Sequence, residues 1–124
     1  MNNQKQINSP EELYTRIKKF VVDVVYLVEK LPNNTIGYRI GGQLIDSAGS
    51  IGANYAEAQS SRSKKEFGAI CGIALKEAKE TLFWLEIIKD SNITKENLDL
   101  LIDECQQLTK ILAKIIINCF QNKN

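Results

Sequence analysis

The sequence predicts an all-α fold, an up-down-up-down four-helix bundle, and three observations carry that expectation. Both prolines, Pro10 and Pro32, lie near the start of the chain, so nothing from Asn33 onward forces a helix to break. Apolar residues recur at steps of three and four, never in strict alternation, through four separate stretches. Short cap and turn signals separate those stretches, and long helices on short loops pack antiparallel to their chain neighbours. At 124 residues the chain forms a single domain with one hydrophobic core.

The first helix is expected over residues 10–31. Ser9-Pro10-Glu11-Glu12 is a capping box with proline at the first helical position. Leu13, Ile17, Phe20, Val24, Leu27 and Leu31 then form one apolar stripe. Met1–Asn8 reads as a polar tail. Pro32-Asn33-Asn34 is a turn, and Thr35 caps a second helix over 36–58. Gly41, Gly42, Gly49 and Gly52 oppose helix there, each at about 1 kcal/mol relative to alanine. Periodicity overrides them, because Ile40, Leu44, Ala48, Ile51 and Tyr55 fall on one stripe. Read together with the third helix, the glycines become a close-packing face that lets a neighbouring backbone approach. Gln43, Ser47, Ser50, Asn54, Glu57 and Ser61 form a polar stripe alongside.

Ser63-Lys64-Lys65-Glu66 is a second capping box, opening a helix over 64–90 whose core line is Phe67, Cys71, Ala74, Ala78, Leu82 and Leu85. A second line carries Glu66, Ile73, Glu77, Glu80 and Trp84, an unusual mixture for a solvated face. Thr94 is expected to cap a fourth helix over 95–121, whose apolar arc is widened by Leu100 and Ile111 past half its circumference. Val22 and Tyr26 lie opposite the core stripe of the first helix. With Trp84, Leu100 and Ile111 they are the candidate oligomer interface.

Composition narrows the function. Sixteen Lys and Arg against fifteen Asp and Glu give a net charge of +1, so attraction to nucleic acid must come from local clustering. Histidine is absent, which removes the commonest general base and the commonest metal ligand. Cys71, Cys105 and Cys119 sit among apolar residues without close pairing and read as buried free thiols. No apolar run approaches the length of a membrane span, and the polar N-terminus lacks a secretory apolar core. A cytoplasmic protein with no cofactor and no small-molecule substrate is expected.

At Gln43–Glu86 the chain carries a specific signature. It comprises Ser50-Ile51, Asn54-Tyr55-x-Glu57-Ala58, Ser63-x-x-Glu66-Phe67, Ala74-Leu75-Lys76-Glu77-Ala78, Glu80-Thr81 and Trp84-Leu85. In order, spacing and helix placement this resembles the four-helix bundle proteins encoded in bacterial 23S rRNA intervening sequences, although many relatives have glycine at the position of Ala58. The resemblance implies a ring-shaped homopentamer with a central channel and no established enzymatic activity. The accessory protein of diversity-generating retroelements looks like a distant cousin, with a basic surface thought to bind nucleic acid.

The candidate sites follow. Gln43, Ser50, Asn54, Glu57, Glu77 and Glu80 are the polar cluster of the family motif. Its carboxylates are expected to bond Asn54, Ser50 or Arg39, or to pair across a subunit boundary. The alternative from another class is a magnesium-dependent all-α nucleotide hydrolase using Glu57, Glu77 and Glu80. It lacks a convincing second acidic pair, since Asp99 and Asp103 look solvated. Without histidine, a Glu-x-x-His di-iron site is excluded. Arg62, Lys64, Lys65, Lys76 and Lys79 are the candidate contacts for RNA or DNA, and repetition around a ring would multiply phosphate contacts. No stacking platform accompanies them, because Phe67 and Trp84 are read as packing residues. The expected partners are copies of the chain itself and nucleic acid, with no membrane.

Overall fold

The computed structural model of the chain describes residues 9–121, and the tail Met1–Asn8 lies outside them. Four helices follow one another: α1 (Pro10–Glu29), α2 (Thr35–Ala58), α3 (Lys64–Ser91) and α4 (Asp99–Gln121). No strand occurs among the described residues.

The ends of α1 and α3 obey local chemistry. Ser9 Oγ accepts from the Glu12 amide at 3.1 Å, and Ser63 Oγ accepts from the Glu66 amide at 3.0 Å. Asn34, not Thr35, caps α2, its Oδ1 accepting from the Gly37 amide at 2.9 Å. Both residue types suit the position, and the longer asparagine side chain occupies it. Asn92 ends α3 in the left-handed region, with φ of 55°.

The fourth helix starts later than expected. Thr94 Oγ1 accepts from the Glu96 amide, closing only a local turn, and Asn97 Oδ1 accepts from the Asp99 amide at 2.8 Å. Such side-chain turns compete with helix, so α4 begins at Asp99. The first bond back runs from the Ile102 amide to the Leu98 carbonyl.

Each helix contacts its chain neighbours, α1 also touches α4, and the diagonal pairs α1 with α3 and α2 with α4 do not meet. A single column of side chains therefore fills the centre: Leu13, Ile17, Phe20 and Val24 from α1, Leu44, Ile51 and Tyr55 from α2, Leu85 and Ile88 from α3, Leu108 and Leu112 from α4. The cross-helix contacts set the register. Gly52 lies against Ile17 and Gly41 against Val28; Ser47 meets Thr81; Cys105 meets Ala78, and Gly68 meets Phe120.

The glycine face packs on α1. A Cβ at Gly41 would stand 2.9 Å from Val28 Cγ1, and one at Gly52 would stand 3.3 Å from Ile17 Cγ2. Gly37 is tighter still, because its added Cβ would collide with the Pro32 carbonyl. Gly42 and Gly49, in contrast, have open space where a side chain would be.

Candidate interaction faces

With about 3.6 residues per turn, each helix buries one stripe and turns a flank toward each neighbour. Two of the resulting faces, α2/α3 and α1/α4, hold most of the residues marked by the sequence.

The α2/α3 seam is closed by hydroxyls. Thr81 Oγ1 lies 2.9 Å from Ser47 Oγ and 2.8 Å from the Glu77 carbonyl, while Ser47 Oγ lies 3.2 Å from the Leu44 carbonyl. Two hydroxyl protons thus serve three contacts, and Ser47, expected on a polar outer stripe, is buried. Outward from this pair run Gln43, Ser50, Asn54 and Glu57 on α2, with Ile73, Glu77, Glu80 and Trp84 on α3. The six residues of the polar cluster therefore border one face. Asn54 Nδ2 donates to the Ser50 carbonyl at 2.8 Å. Glu57 and Glu80 are exposed and Glu77 is half-buried. Of the two expected arrangements, bonds to Asn54, Ser50 or Arg39 within the protomer are not made by any of the three carboxylates, and Asn54 donates instead to its own helix. They also do not converge: among the described residues no three carboxylate or thiol groups come together in a way that would hold a metal ion.

The α1/α4 seam is ionic. Arg16 donates through Nε and Nη2 to the two oxygens of Glu104, both at 2.7 Å, and through Nη2 to Gln107 Oε1 at 2.7 Å. This bidentate bond raises the Arg16 pKa against the opposing cost of burial. Val22, Tyr26 and Leu100 lie exposed on this side, Leu100 at 86%. Ile111 is half-buried and packs on the core. Trp84 belongs to the opposite side of the bundle, so the five candidate interface residues form two patches. Its indole Nε1–H is buried without a hydrogen-bond partner, and its ring meets Phe83 edge-on at 5.0 Å.

The basic candidates also divide. Lys65, Lys76 and Lys79 follow one exposed line of α3, Lys64 occupies the adjoining flank and Arg62 stands in the loop before it. Phe83 continues the lysine line and is 51% exposed, an aromatic group the sequence reading passed over. Its signal was present, four residues beyond Lys79 on a surface otherwise carrying charge. Exposed Tyr38 and Ile45 on α2 were missed as well.

Burial pushes the Cys71 thiol up to about 11 and the Cys105 thiol up to about 12. Neither is a nucleophile near neutral pH. Cys119, expected to be buried, is partly exposed at the end of α4, where Sγ contacts the Lys64 carbonyl at 3.4 Å.

The sequence profile of the family described as "23S rRNA-intervening sequence protein" matches residues 11–114. The chain belongs to that family. A similar solved structure is the crystal structure of a protein with unknown function from the S23 ribosomal protein family of Bacteroides thetaiotaomicron. It is 32% identical, with a TM-score of 0.78, over 87% of this chain and 97% of that one. No curated protein is similar enough to carry a comparison. Family and neighbour are of unknown function, and no catalytic role is indicated for either. No described helix is long and apolar enough to cross a membrane.

Proposed function

We propose that this family member is a non-enzymatic, self-assembling scaffold of the cytoplasm, an up-down-up-down bundle joined side to side into a ring-shaped homopentamer. The opposed register of successive helix contacts supports the up-down arrangement. The resemblance to the intervening-sequence proteins supports the ring. One observation carries the self-assembly: Leu100, 86% exposed, shares a face with exposed Tyr26 and Val22, a group of large apolar side chains that an isolated protomer leaves in water. Light scattering on the purified chain tests it. A mass of about 70 kDa, five times the 14.0 kDa of one chain, is expected, and a mass of 14.0 kDa at micromolar concentration overturns it.

A second reading, nucleic-acid association, is favoured by Phe83 standing in line with Lys65, Lys76 and Lys79. A base stacked on Phe83 would place the flanking phosphates along the lysines. Fluorescence anisotropy with a labelled single-stranded RNA is expected to show salt-sensitive binding that Lys76→Glu/Lys79→Glu removes. Absence of binding at low salt sinks this reading.

A further inference from the structure

The charges left over after internal pairing differ in sign between the two faces. On α1/α4, Arg16 is held by Glu104, Lys19 by Asp23 and Lys30 by Glu96. Lys110 and Lys114, one and two turns beyond Gln107 on the same flank, are exposed and make no ion pair among the described residues. On α2/α3 the surplus is acidic, since the carboxylates of Glu57, Glu77 and Glu80 have no partner among the described residues.

The levels along the bundle also agree. Cys105 opposite Ala78 brings Leu100 level with Phe83 and Trp84, and brings Lys110 and Lys114 level with Ile73 and Ala69. Ser47 opposite Thr81 brings Glu57 level with Cys71, inside that same interval, with Glu77 one turn away. When two copies stand side by side with axes aligned, the apolar group of one face meets Trp84 of the other at one level. The two lysines meet Glu57 and Glu77 at the next.

We infer that the α2/α3 face is a docking site for the α1/α4 face of a second copy of this chain, a head-to-tail contact in which Lys110 and Lys114 pair with Glu57 and Glu77 while Tyr26 and Leu100 cover Trp84. This rests on the self-assembly proposed above and adds which faces meet and in which orientation. Two different surfaces joined in this way close a ring where the rotation from copy to copy adds up to a full turn and run on as a filament where it does not, whereas one surface meeting its own copy stops at a dimer.

The test is charge exchange between two folded variants. Lys110→Glu/Lys114→Glu makes both faces acidic, and Glu57→Lys/Glu77→Lys makes both basic. Each alone is expected to weaken association more than tenfold and to run as a monomer with its helical circular dichroism retained. Mixed in equal amounts they are expected to assemble again, with the emission of Trp84, the one tryptophan, moving to shorter wavelength as its surroundings dry. Lys114→Glu with Glu57→Lys, at two exposed positions, is the milder pair should either double variant lose helix. If each variant assembles like the wild type, or if the folded mixture stays monomeric while the wild type assembles, the docking is wrong and self-assembly stands. If the wild type is itself a monomer, both readings fall.

Discussion

The α1/α4 and α2/α3 seams solve the same packing problem with opposite chemistry. Arg16, Glu104 and Gln107 bridge a seam where the helices make their least contact, and the long guanidinium spans the gap. Across α2/α3 the small residues Ser47, Ala48, Ala74 and Ala78 let the backbones close in, leaving room for two short hydroxyls and no charge. A wide seam accommodates an ion pair that stays partly hydrated. A tight one needs neutral groups, because burying a charge there costs several kcal/mol, on the order of the protein's whole stability. The tight seam is consequently the one that leaves its carboxylates outside, unpaired and available.

Alkali breaks this symmetry most severely, because it attacks the neutral interior and spares the guanidinium clamp. The Cys71 and Cys105 thiols have an ordinary value of 9.0 and are pushed up to about 11 and about 12 by burial. Their contribution to stability is complete below pH 9, where both states are protonated. It is lost as pH rises from there toward 11 and 12, because the unfolded thiols release protons that the folded ones keep. Burial raises Tyr55 too, with the same sign. Urea midpoints should fall between pH 8 and pH 10.5, and less steeply in Cys71→Ala/Cys105→Ala than in the wild type.

Overfilling the tight seam ranks next. Ser47→Leu is expected to cost about 3 kcal/mol in urea unfolding, since the opposing Thr81 is fully buried and cannot withdraw. Arg16→Ala should cost about 2 kcal/mol by leaving a part-buried Glu104 without its partner. Thr81→Val alone should cost about 1 kcal/mol, and Ser47→Ala/Thr81→Val no more than the single change, because both members of the pair leave together. A double variant much worse than the single one would show that the hydroxyls do more than satisfy each other. The smallest effect belongs to Gly42→Ala, expected to stabilise the protomer by about 1 kcal/mol, since nothing occupies the space its methyl would enter. A destabilisation that appears only in the assembled state would place a neighbour against that glycine.

How far the sequence could be read follows from the range of the forces involved. Caps at Ser9 and Ser63, and the core stripe Leu13, Ile17, Phe20, Val24 and Leu27, are local or periodic and were legible. The start of α4 was not, because Thr94 and Asn97 are both good caps and the choice depends on which turn each one closes. The glycine face was legible as close-packing, but its neighbour α1 was not, since periodicity says which residues share a flank and not which helix lies across from it. The polar-cluster residues share one seam, but the meeting of Glu57, Glu77 and Glu80 that packing of α2 on α3 suggested does not occur, because periodicity fixes a flank and not the distance across it. The separation of Trp84 from Val22, Tyr26, Leu100 and Ile111 was not, since only the bundle geometry puts them on opposite sides. Phe83 escaped notice beside Trp84, where two adjacent aromatics read as core until their directions are known.

The late start of α4 leaves residues 93–98 as an unwound strap across one end of the bundle, close to the turn after α1 through the contact of Lys30 with Glu96. Only Leu98 in that strap is buried, and Lys95, Glu96 and Asn97 are exposed. It carries neither of the two docking faces. Foreign peptide spliced between Lys95 and Glu96 should therefore be tolerated, as insertions generally are where little backbone is buried. In the proposed ring, epitopes or enzymes grafted there would be displayed in a crown along one rim, with the spacing set by the width of a bundle.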